Sequence, residues 1–266
     1  MKLRLKELLD HDLWKRDLYL QDIDYIIGAN IFEYDMKDAG YHLSMEYQLL
    51  DEATLEYLGT LVKKERTIRI GLLMRDNPDF SKKLTKAFGQ MRRRFFIAND
   101  IQHRQILSIK KDAIFLINKG CDKVKFGDVE FVLKNRYTSF HRFRSSEFYY
   151  RNRGKVLDVK GISNDKLIPH EEYMISFLKE TFLALETTDN RRIVSKVKKF
   201  ASDYKNGRLP VEYYRELNSG SMYTFKSQGD NIVQSQYQLP GFEIERSYNY
   251  MVYILPLIQR FFFITN

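Results

Sequence analysis

Residues Ile106–Ile117 read ILSIKKDAIFLI, and this segment carries the clearest structural signal of the chain. Two runs of apolar, mostly β-branched or large residues flank a short charged centre, which is the pattern of two strands joined by a tight turn. We predict a β-hairpin whose strands are Gln105–Ile109 and Ala113–Ile117. The turn carries Asp112, so the sequence predicts a carboxylate at the tip of an apolar hairpin.

A second acidic residue ends a strand earlier in the chain. Tyr25–Tyr34 (YIIGANIFEY) is dominated by β-branched and aromatic residues, which favour a strand. That run continues into Asp35, and Asp38 follows three residues later. A turn-like segment and a short helix from about Tyr41 come next. The sequence therefore predicts a carboxylate at the end of each of two strands.

The remaining patterns predict helices packed around an antiparallel sheet. A long helix is expected from Lys82 to about Ala98 with Ser81 as its N-cap, while Thr67–Met74 (TIRIGLLM) alternates and is predicted as a strand. An acidic first turn and a basic last turn predict a helix at 51–64. Apolar residues at helical spacing predict another at 171–185, and a further helix is expected at 191–204. We therefore expect an α+β protein in which residues 1–162 form a mixed core with a small basic insertion and residues 163–266 form a mostly helical C-terminal part.

Positive charge is concentrated in the middle of the chain. The net charge is +9 over 266 residues. Residues 61–160 hold twenty-five Lys and Arg against ten Asp and Glu, a surplus of +15, whereas residues 1–60 carry −7. Such a concentration is typical of proteins that bind a polyanion, so nucleic acid is the expected partner. The alternative is a highly charged surface that only keeps the protein in solution.

Several classes of protein are excluded by what the sequence lacks. Cys121 is the only cysteine, which rules out an intramolecular disulfide and a zinc site built from thiolates. This cysteine usage favours a reducing compartment, and we expect a cytoplasmic protein. No run of about eighteen uncharged apolar residues is present, so no membrane-spanning helix is expected. Glycine-rich phosphate-binding loops and the zinc-protease and serine-hydrolase motifs are also absent.

The two acidic strand ends together resemble the palm domain of right-handed template-dependent nucleic-acid polymerases. In that fold, motif A is a strand that ends in Asp before a turn and a helix, as IFEYD does at Ile31–Asp35. Motif C is a hairpin with Asp at its tip, followed by a small residue and then apolar residues, which DAIFL at Asp112–Leu116 matches. Where motif C usually has a second acidic residue, this chain has Lys110 and Lys111.

The resemblance implies a palm-like antiparallel sheet, a fingers-like insertion, a thumb-like C-terminal part and nucleotidyl transfer assisted by Mg²⁺ or Mn²⁺. It also implies that Asp35 and Asp112 are the catalytic, metal-binding residues and that Asp38 is a further metal ligand. Carboxylates on adjacent strands can hold two such ions about 4 Å apart, where the ions clamp the attacking and leaving oxygens.

The helix between these motifs carries a basic stripe. Its sequence, SKKLTKAFGQMRRRFF at Ser81–Phe96, resembles motif B, in which basic residues on one helix face meet the incoming triphosphate. Lys86 lies four residues after Lys82 and seven before Arg93, so the three side chains share one face. We predict that they bind nucleotide. The alternative is an ordinary solvated helix face.

A later segment interleaves arginine with tyrosine and phenylalanine: Lys134–Arg153 reads KNRYTSFHRFRSSEFYYRNR. Aromatic faces stack on bases and arginine neutralises phosphates, so the segment predicts a nucleic-acid surface. An exposed ribbon with its aromatics packed inward is the alternative. The predicted nucleic-acid-binding residues are Lys110, Lys111, Arg136, Arg142, Arg144, Arg151 and Arg153.

Three functions stay open from the sequence. The first is a minimal or divergent palm-type polymerase that binds nucleic acid and transfers nucleotides. The second is a non-enzymatic nucleic-acid-binding or protein-blocking module, such as a phage-encoded inhibitor of a host system. The third is a structural subunit of a larger assembly, which the aromatic-rich C-terminal part would support through a buried interface. A small standalone palm-like protein suits a phage or mobile element and would act in the host cytoplasm.

The charge distribution predicts that binding to nucleic acid is electrostatic and depends on residues 61–160. Each duplex phosphate neutralised by Lys or Arg releases counterions, so the logarithm of the binding constant should fall with the logarithm of salt concentration by about 0.9 per phosphate. Fluorescence anisotropy of a labelled duplex at several salt concentrations measures this slope. Tight binding that is insensitive to salt, or no binding at low salt, contradicts the prediction.

Overall fold

A computed structural model describes residues 17–19, 23–143, 146–161, 175–206, 208, 225–228 and 231–234. The chain forms two compact units. The first unit comprises Met1–Ile23 and Ala29–Tyr137, and the second unit comprises Asp24–Gly28 and Thr138–Asn266. Helices and strands are both abundant, and the strands pair in antiparallel fashion. The α+β fold expected from the sequence is therefore confirmed.

The described strands, in chain order, are β1 (Asp17–Tyr19), β2 (Tyr25–Ile26), β3 (Ile31–Met36), β4 (Ile106–Lys110), β5 (Ala113–Ile117), β6 (Lys125–Phe126), β7 (Val129–Tyr137), β8 (Ser139–Phe143), β9 (Ser146–Arg151), β10 (Val156–Lys160), β11 (Phe225–Gln228) and β12 (Asn231–Gln234). The described helices are α1 (Ala39–Glu46), α2 (Glu52–Thr60), α3 (Lys63–Asp76), α4 (Pro78–Ala98), α5 (Ser176–Glu186) and α6 (Asn190–Lys205). None of the helices in this part of the chain has both the length and the apolar character needed to cross a bilayer.

The first unit is built on an antiparallel sheet in the order β1-β4-β5-β3-β7-β6. β4 and β5 form the predicted hairpin, with Lys111 and Asp112 as its turn. β3 lies between β5 and β7, and Asp35 pairs with Ala113 of β5 and with Val132 of β7. The sheet therefore brings the two acidic strand ends side by side.

Helices of the first unit pack against this sheet in one hydrophobic core. Phe95 of α4 is fully buried, and its ring stacks on Phe131 of β7 with the centroids 4.2 Å apart. Tyr34 of β3 and Phe126 of β6 pack around the same ring, at centroid distances of 5.5 and 6.2 Å. Aromatic pairs of this kind each contribute about 1 kcal/mol beyond the burial of their area. Phe95 thus fixes α4 against three strands.

The longest helix begins at Pro78, one turn earlier than predicted. The side chain of Asn77 caps it by accepting a hydrogen bond from the backbone nitrogen of Phe80 at 3.0 Å. Pro78 takes the first helical position, where its missing N–H has no partner to lose and its fixed φ suits the helix. The choice of Ser81 as the N-cap is therefore wrong, because the Asn-Pro pair already supplies the starting signal.

The predicted strand at Thr67–Met74 is wrong, since these residues lie in helix α3. The alternation of isoleucine with arginine matched a strand, yet Ile70 is buried while Ile68 is 54% exposed. Ile70, Leu73 and Met74 pack into or against the core. Their spacing of three and four residues is that of one helix face.

The second unit contains an antiparallel sheet in the order β10-β9-β8-β2. The single predicted strand Tyr25–Tyr34 is in fact two strands, β2 and β3, because Gly28 between them has a φ of +68°, which breaks the extended chain. Helix α5 packs on this sheet through Phe182, whose ring lies parallel to that of Tyr150 with the centroids 5.3 Å apart.

The C-terminal part agrees with the sequence in its helices. α6 agrees with the predicted helix at 191–204 to within one residue at each end, and α5 agrees with the helix predicted at 171–185 over residues 176–185. Residues 162–174, which include the predicted domain boundary, lie outside the described residues. The division into units falls earlier, between Tyr137 and Thr138. β11 and β12 pair with each other, so this part also contains strands.

Glu46 at the end of α1 stabilises the turn between β6 and β7 by hydrogen bonding. Its carboxylate accepts hydrogen bonds from Arg94 at 2.5 Å and from the backbone nitrogen of Asp128 at 3.1 Å. Burial acts to raise the pKa of Glu46, but these hydrogen bonds outweigh burial and hold the pKa below its ordinary value. Gly127 in the turn has a φ of +58°, and a Cβ atom there would lie 1.8 Å from Oε2 of Glu46. The turn therefore requires glycine.

Gly127→Ala should lower the free energy of unfolding by about 1–3 kcal/mol, because an L residue at positive φ is strained and the methyl group displaces the Glu46 carboxylate. Gly71→Ala is the matched control, since Gly71 lies within α3 and an added Cβ meets nothing within 4 Å. Alanine there should stabilise the protein by up to about 1 kcal/mol. Urea unfolding followed by circular dichroism measures both changes, and equal stabilities of the two variants contradict the role of Gly127.

Candidate functional site

A cleft of about 130 Å³ lies beside the turn of the hairpin in the first unit. Asp35, Asp38 and Asp112 all line it. Lys63 of α3 and Lys111 of the turn supply positive charge. Apolar side chains of α3 and α4 form much of the wall, namely Ile70, Met74, Leu84 and Phe88. The cleft therefore combines carboxylates and lysines against an apolar wall.

Backbone hydrogen bonds hold the end of β3, which carries Asp35, against the turn that carries Asp112. Asp35 pairs with Ala113, the residue after Asp112. The backbone nitrogen of Met36 donates to the carbonyl oxygen of Asp112 at 3.1 Å. Lys111, the first residue of the turn, has a φ of +52°, a left-handed conformation that lysine rarely adopts. The structure thus brings together Asp35 and Asp112, the two residues that the sequence singled out.

Asp112 is partly buried and lies within the influence of the negative charge of Asp35. Burial is the main cause that raises the pKa of Asp112, and the charge of Asp35 raises it further. The charges of Lys111 and Lys134 act in the opposite direction. Two carboxylates that repel each other in such a cleft favour a bound cation, because the cation offsets the repulsion.

Lys134 of β7 forms an ion pair with Asp35. Its Nζ lies 3.4 Å from Oδ2 of Asp35. Burial acts to lower the pKa of Lys134, but the carboxylates of Asp35 and Glu33 outweigh burial and raise the pKa. The Lys134 side chain is half exposed, so the ion pair contributes little to stability. Sequence patterns do not reveal this contact, because it depends on the register between β3 and β7.

Asp38 lines the cleft, but Arg66 of α3 engages its carboxylate. Oδ2 of Asp38 accepts a hydrogen bond from Nη1 of Arg66 at 2.6 Å, and both side chains are largely buried. The Arg66 guanidinium also lies over the ring of Tyr41, 4.5 Å from its centroid. Within the described part of the chain, no three acidic, histidine or cysteine side chains are grouped so that they could hold a metal ion. A metal in this cleft would therefore depend on Asp35 and Asp112.

Arg92 of α4 is a residue that the sequence reasoning missed. It is 1% exposed, and its Nη1 donates to the carbonyl oxygen of Lys111 at 2.5 Å. Burial lowers the pKa of Arg92 to about 10, against the opposing charge of Asp112, so the guanidinium stays charged at neutral pH. A signal was present in the sequence: Arg92 follows Phe88 by four residues and Leu84 by eight, and so falls on the apolar helix face.

The predicted phosphate-binding stripe lies outside the cleft that Asp35, Asp38 and Asp112 line, which we name the acidic cleft. Lys82, Lys86 and Arg93 are all exposed on α4. Lys82 and Lys86 line a separate, open cleft of about 360 Å³. The acidic cleft is lined instead by Lys63 and Thr67 of α3. The sequence did not indicate Thr67 as a cleft residue, because its pattern predicts a strand there.

Three of the predicted nucleic-acid-binding residues belong to the first unit. Lys110 and Lys111 lie at the end of β4 and in the turn, and Arg136 is exposed on β7. The Arg136 guanidinium lies 5.3 Å from the ring centroid of Phe32. Lys111 also lines the acidic cleft. These three cations therefore share a unit with the two carboxylates.

The other predicted nucleic-acid-binding residues belong to the second unit. Arg142 is partly buried and forms an ion pair with Asp24 at 3.2 Å. Arg151 ends β9 and Arg153 follows it, at the opposite end of the β8–β9 hairpin from Arg142. Arg144 lies outside the described residues. The described arginines of this hairpin therefore lie at its two ends.

Aromatic side chains of β8 and β9 are buried. Phe140, Phe148, Tyr149 and Tyr150 are each inaccessible to solvent. A base can stack only on an exposed ring. The expectation that these aromatics bind bases is therefore wrong, and the inward-packed alternative holds for them.

The fold and the cleft define the class of this protein: an α+β protein whose antiparallel sheet carries a pair of carboxylates in a lysine-lined cleft. Carboxylates in this arrangement can bind a divalent cation or an ammonium group, and the lysines can bind phosphate. The chain belongs to the family described as Bacteriophage PBS1 gene 130 protein, whose pattern matches residues 9–252. The phage origin expected from the sequence agrees with this family. No curated protein matches the chain.

Replacing Lys82, Lys86 and Arg93 together with Gln should preserve the fold, because all three side chains are exposed and Gln is a good helix former. The same change should weaken nucleic-acid binding several-fold, since phosphate-neutralising charges are lost. Fluorescence anisotropy at fixed salt measures the binding, and circular dichroism verifies the fold.

The control for this prediction is a variant with Gln at the exposed Lys64, Lys123 and Lys125, which loses the same charge elsewhere in the first unit. It should bind nucleic acid more tightly than the stripe variant. Equal losses of affinity in the two variants would show that only net charge matters and that the stripe is a solvated helix face.

Proposed function

We propose that this chain is a metal-dependent nucleotidyltransferase of the palm type that acts on nucleic acid. The observation that carries the proposal is the pairing of β3 with β5, which brings Asp35 and Asp112 into one cleft. These are the same two residues whose local sequences resemble polymerase motifs A and C. Neither motif is specific alone, so their proximity in the sheet is the stronger support.

The topology of the first unit supports the same function. A strand that carries Asp near its end and a hairpin with Asp at its tip are neighbours in one antiparallel sheet, which is the arrangement that the palm resemblance implies. Helices α1 to α4 lie between these two elements in sequence, in the position of a fingers-like insertion. Side chains of α3 and α4 border the cleft, as an insertion that receives a nucleotide would do.

Asp35 and Asp112 fit a Mg²⁺ or Mn²⁺ ion. Mg²⁺ in phosphate-transferring sites commonly takes one or two carboxylates and completes its shell with water and substrate phosphates. When bound, such ions lower the pKa of the attacking hydroxyl and neutralise the leaving pyrophosphate. In this chain, Asp35 and Asp112 would hold the ions, and their positions beside the β3–β5 ladder keep the carboxylates in place.

The cations of the first unit are suited to anionic substrates. Lys63 and Lys111, which line the cleft, would neutralise the phosphates of a nucleotide. The exposed stripe on α4 and Arg136 on β7 would bind the nucleic-acid backbone. The surplus of +15 over residues 61–160 supports a polyanionic partner. For a member of a phage family, the host cytoplasm is the compartment where such an activity would serve.

A second candidate function is a non-enzymatic nucleic-acid-binding or protein-blocking module. The observation that favours it is the ion pair between Lys134 and Asp35, together with Lys110 and Lys111 beside the tip of the hairpin. Ammonium groups can offset the repulsion of two carboxylates as a metal does. In that case Asp35 and Asp112 stabilise the turn, and the protein acts by binding alone.

Mg²⁺ or Mn²⁺ should raise the melting temperature, because an ion that binds only the folded state stabilises that state, by about 2.7 kcal/mol at a hundred times its dissociation constant. Asp112→Asn should abolish this response and any incorporation of nucleotides, since the amide keeps the shape of the side chain but loses its charge. Differential scanning fluorimetry with and without Mn²⁺ measures the first effect. Extension of a labelled primer on a template measures the second.

Asp122→Asn is the matched control, because Asp122 is exposed in the first unit and the substitution removes the same charge. This variant should keep the parent's response to Mn²⁺ and its nucleotide incorporation. If the melting temperature of the parent ignores Mn²⁺ and Asp112→Asn behaves like the parent, the nucleotidyltransferase proposal fails and the binding module stands.

A further inference from the structure

Arg92 is a buried guanidinium in an otherwise apolar layer. The other buried side chains on this length of α4 include Leu84, Phe88, Phe95 and Phe96. Burying a charged group costs free energy, whereas burying a hydrocarbon side chain of similar volume stabilises the folded state. A leucine or methionine at this position would continue the apolar face, so the charge of Arg92 requires a reason other than packing.

The guanidinium reaches the turn that carries Asp112. Nη1 of Arg92 donates to the carbonyl oxygen of Lys111 at 2.5 Å. That carbonyl belongs to the peptide group that leads directly into Asp112, so the hydrogen bond fixes the plane of this peptide. The φ of Lys111 is +52°, and a residue other than glycine holds such a conformation only when its surroundings support it.

The peptide group after Asp112 is held as well. Its carbonyl oxygen accepts the hydrogen bond from the backbone nitrogen of Met36 at 3.1 Å. Arg92 therefore secures the peptide on one side of Asp112, and β3 secures the peptide on the other side. Asp112 lines the cleft from this doubly held turn, as Lys111 does.

We propose that Arg92 is a positioning residue of the acidic cleft: it holds the Lys111–Asp112 turn so that the Asp112 carboxylate stays beside that of Asp35 and shares a divalent cation with it. This inference rests on the proposed function, because it concerns the same cleft. Arg92 acts through the backbone of the turn rather than through contact with substrate. Loss of a group that supports a metal ligand from one layer outside commonly weakens metal binding by about 10- to 100-fold.

Arg92→Met and Arg92→Lys separate the hydrogen bond from the packing. Methionine fills the buried space without a donor, while lysine keeps a charged donor on a long side chain. Mn²⁺ affinity, measured from the electron paramagnetic resonance signal of the free ion, should be about tenfold weaker in Arg92→Met and largely restored in Arg92→Lys. A purely electrostatic role predicts the opposite for Arg92→Met, because loss of a nearby positive charge strengthens cation binding. Unchanged or tighter Mn²⁺ binding in Arg92→Met overturns the proposal.

Hydrogen–deuterium exchange of peptides that cover Ile106–Ile117 gives a second readout that needs no metal. Exchange at the turn should be several-fold faster in Arg92→Met than in the parent. Arg69→Met is the control, because Arg69 is an exposed arginine of α3 in the same unit, and it should leave both the exchange at the turn and the Mn²⁺ affinity as in the parent. Unchanged exchange in Arg92→Met contradicts the positioning role.

Mn²⁺ binding by the parent protein separates the metal site from the role of Arg92. A parent protein that binds no Mn²⁺ overturns the metal site and, with it, the part of the inference that concerns metal affinity. A parent that binds Mn²⁺ together with an Arg92→Met variant of normal affinity overturns the role of Arg92 alone. Should Arg92→Met fail to fold, Arg92→Gln takes its place with the same expectations, because its shorter side chain falls short of the turn.

Discussion

The backbone ladder between β3 and β5 is the constraint on which the first unit depends. It runs through five register pairs, from Ile31 with Ile117 to Asp35 with Ala113. Because side chains alternate along paired strands, a shift by one residue would turn the buried set of β3 outward. The same shift would move Asp35 away from Asp112. Core packing and the acidic cleft therefore rest on one set of hydrogen bonds.

Elements with local signals were predictable from the sequence. The hairpin agrees with its prediction to within one residue because its apolar runs and its charged turn are contiguous. α6 agrees equally well because its apolar residues have helical spacing throughout. Thr67–Met74 was misassigned because alternating isoleucine and arginine fit a short strand as well as one side of a helix. Contacts with the core decided between the two, and a single sequence does not contain them.

The candidate site was predictable only in part, for the same reason. Asp35 and Asp112 were singled out because each follows or interrupts an apolar strand pattern that can be seen locally. Their neighbours Lys134 and Arg66 come from distant segments, and only the register of β7 and the packing of α3 bring them to Asp35 and Asp38. Arg92 could have been found from its place on the apolar face of α4. The burial of β9 on both faces could not have been found from the sequence, because alternation of apolar and polar residues along a strand indicates only one covered face.

The helical segment between β3 and β4 has a consequence for folding kinetics. The hairpin joins strands that are adjacent in the chain, and such hairpins form within about 1–10 μs. β3 must instead find β5 across all of α1 to α4, so a long loop has to close before those contacts form. The insertion thereby raises the contact order of the first unit and slows its folding. A chain that has formed only the hairpin carries Asp112 without its partner carboxylate, so the cleft is completed late on the pathway.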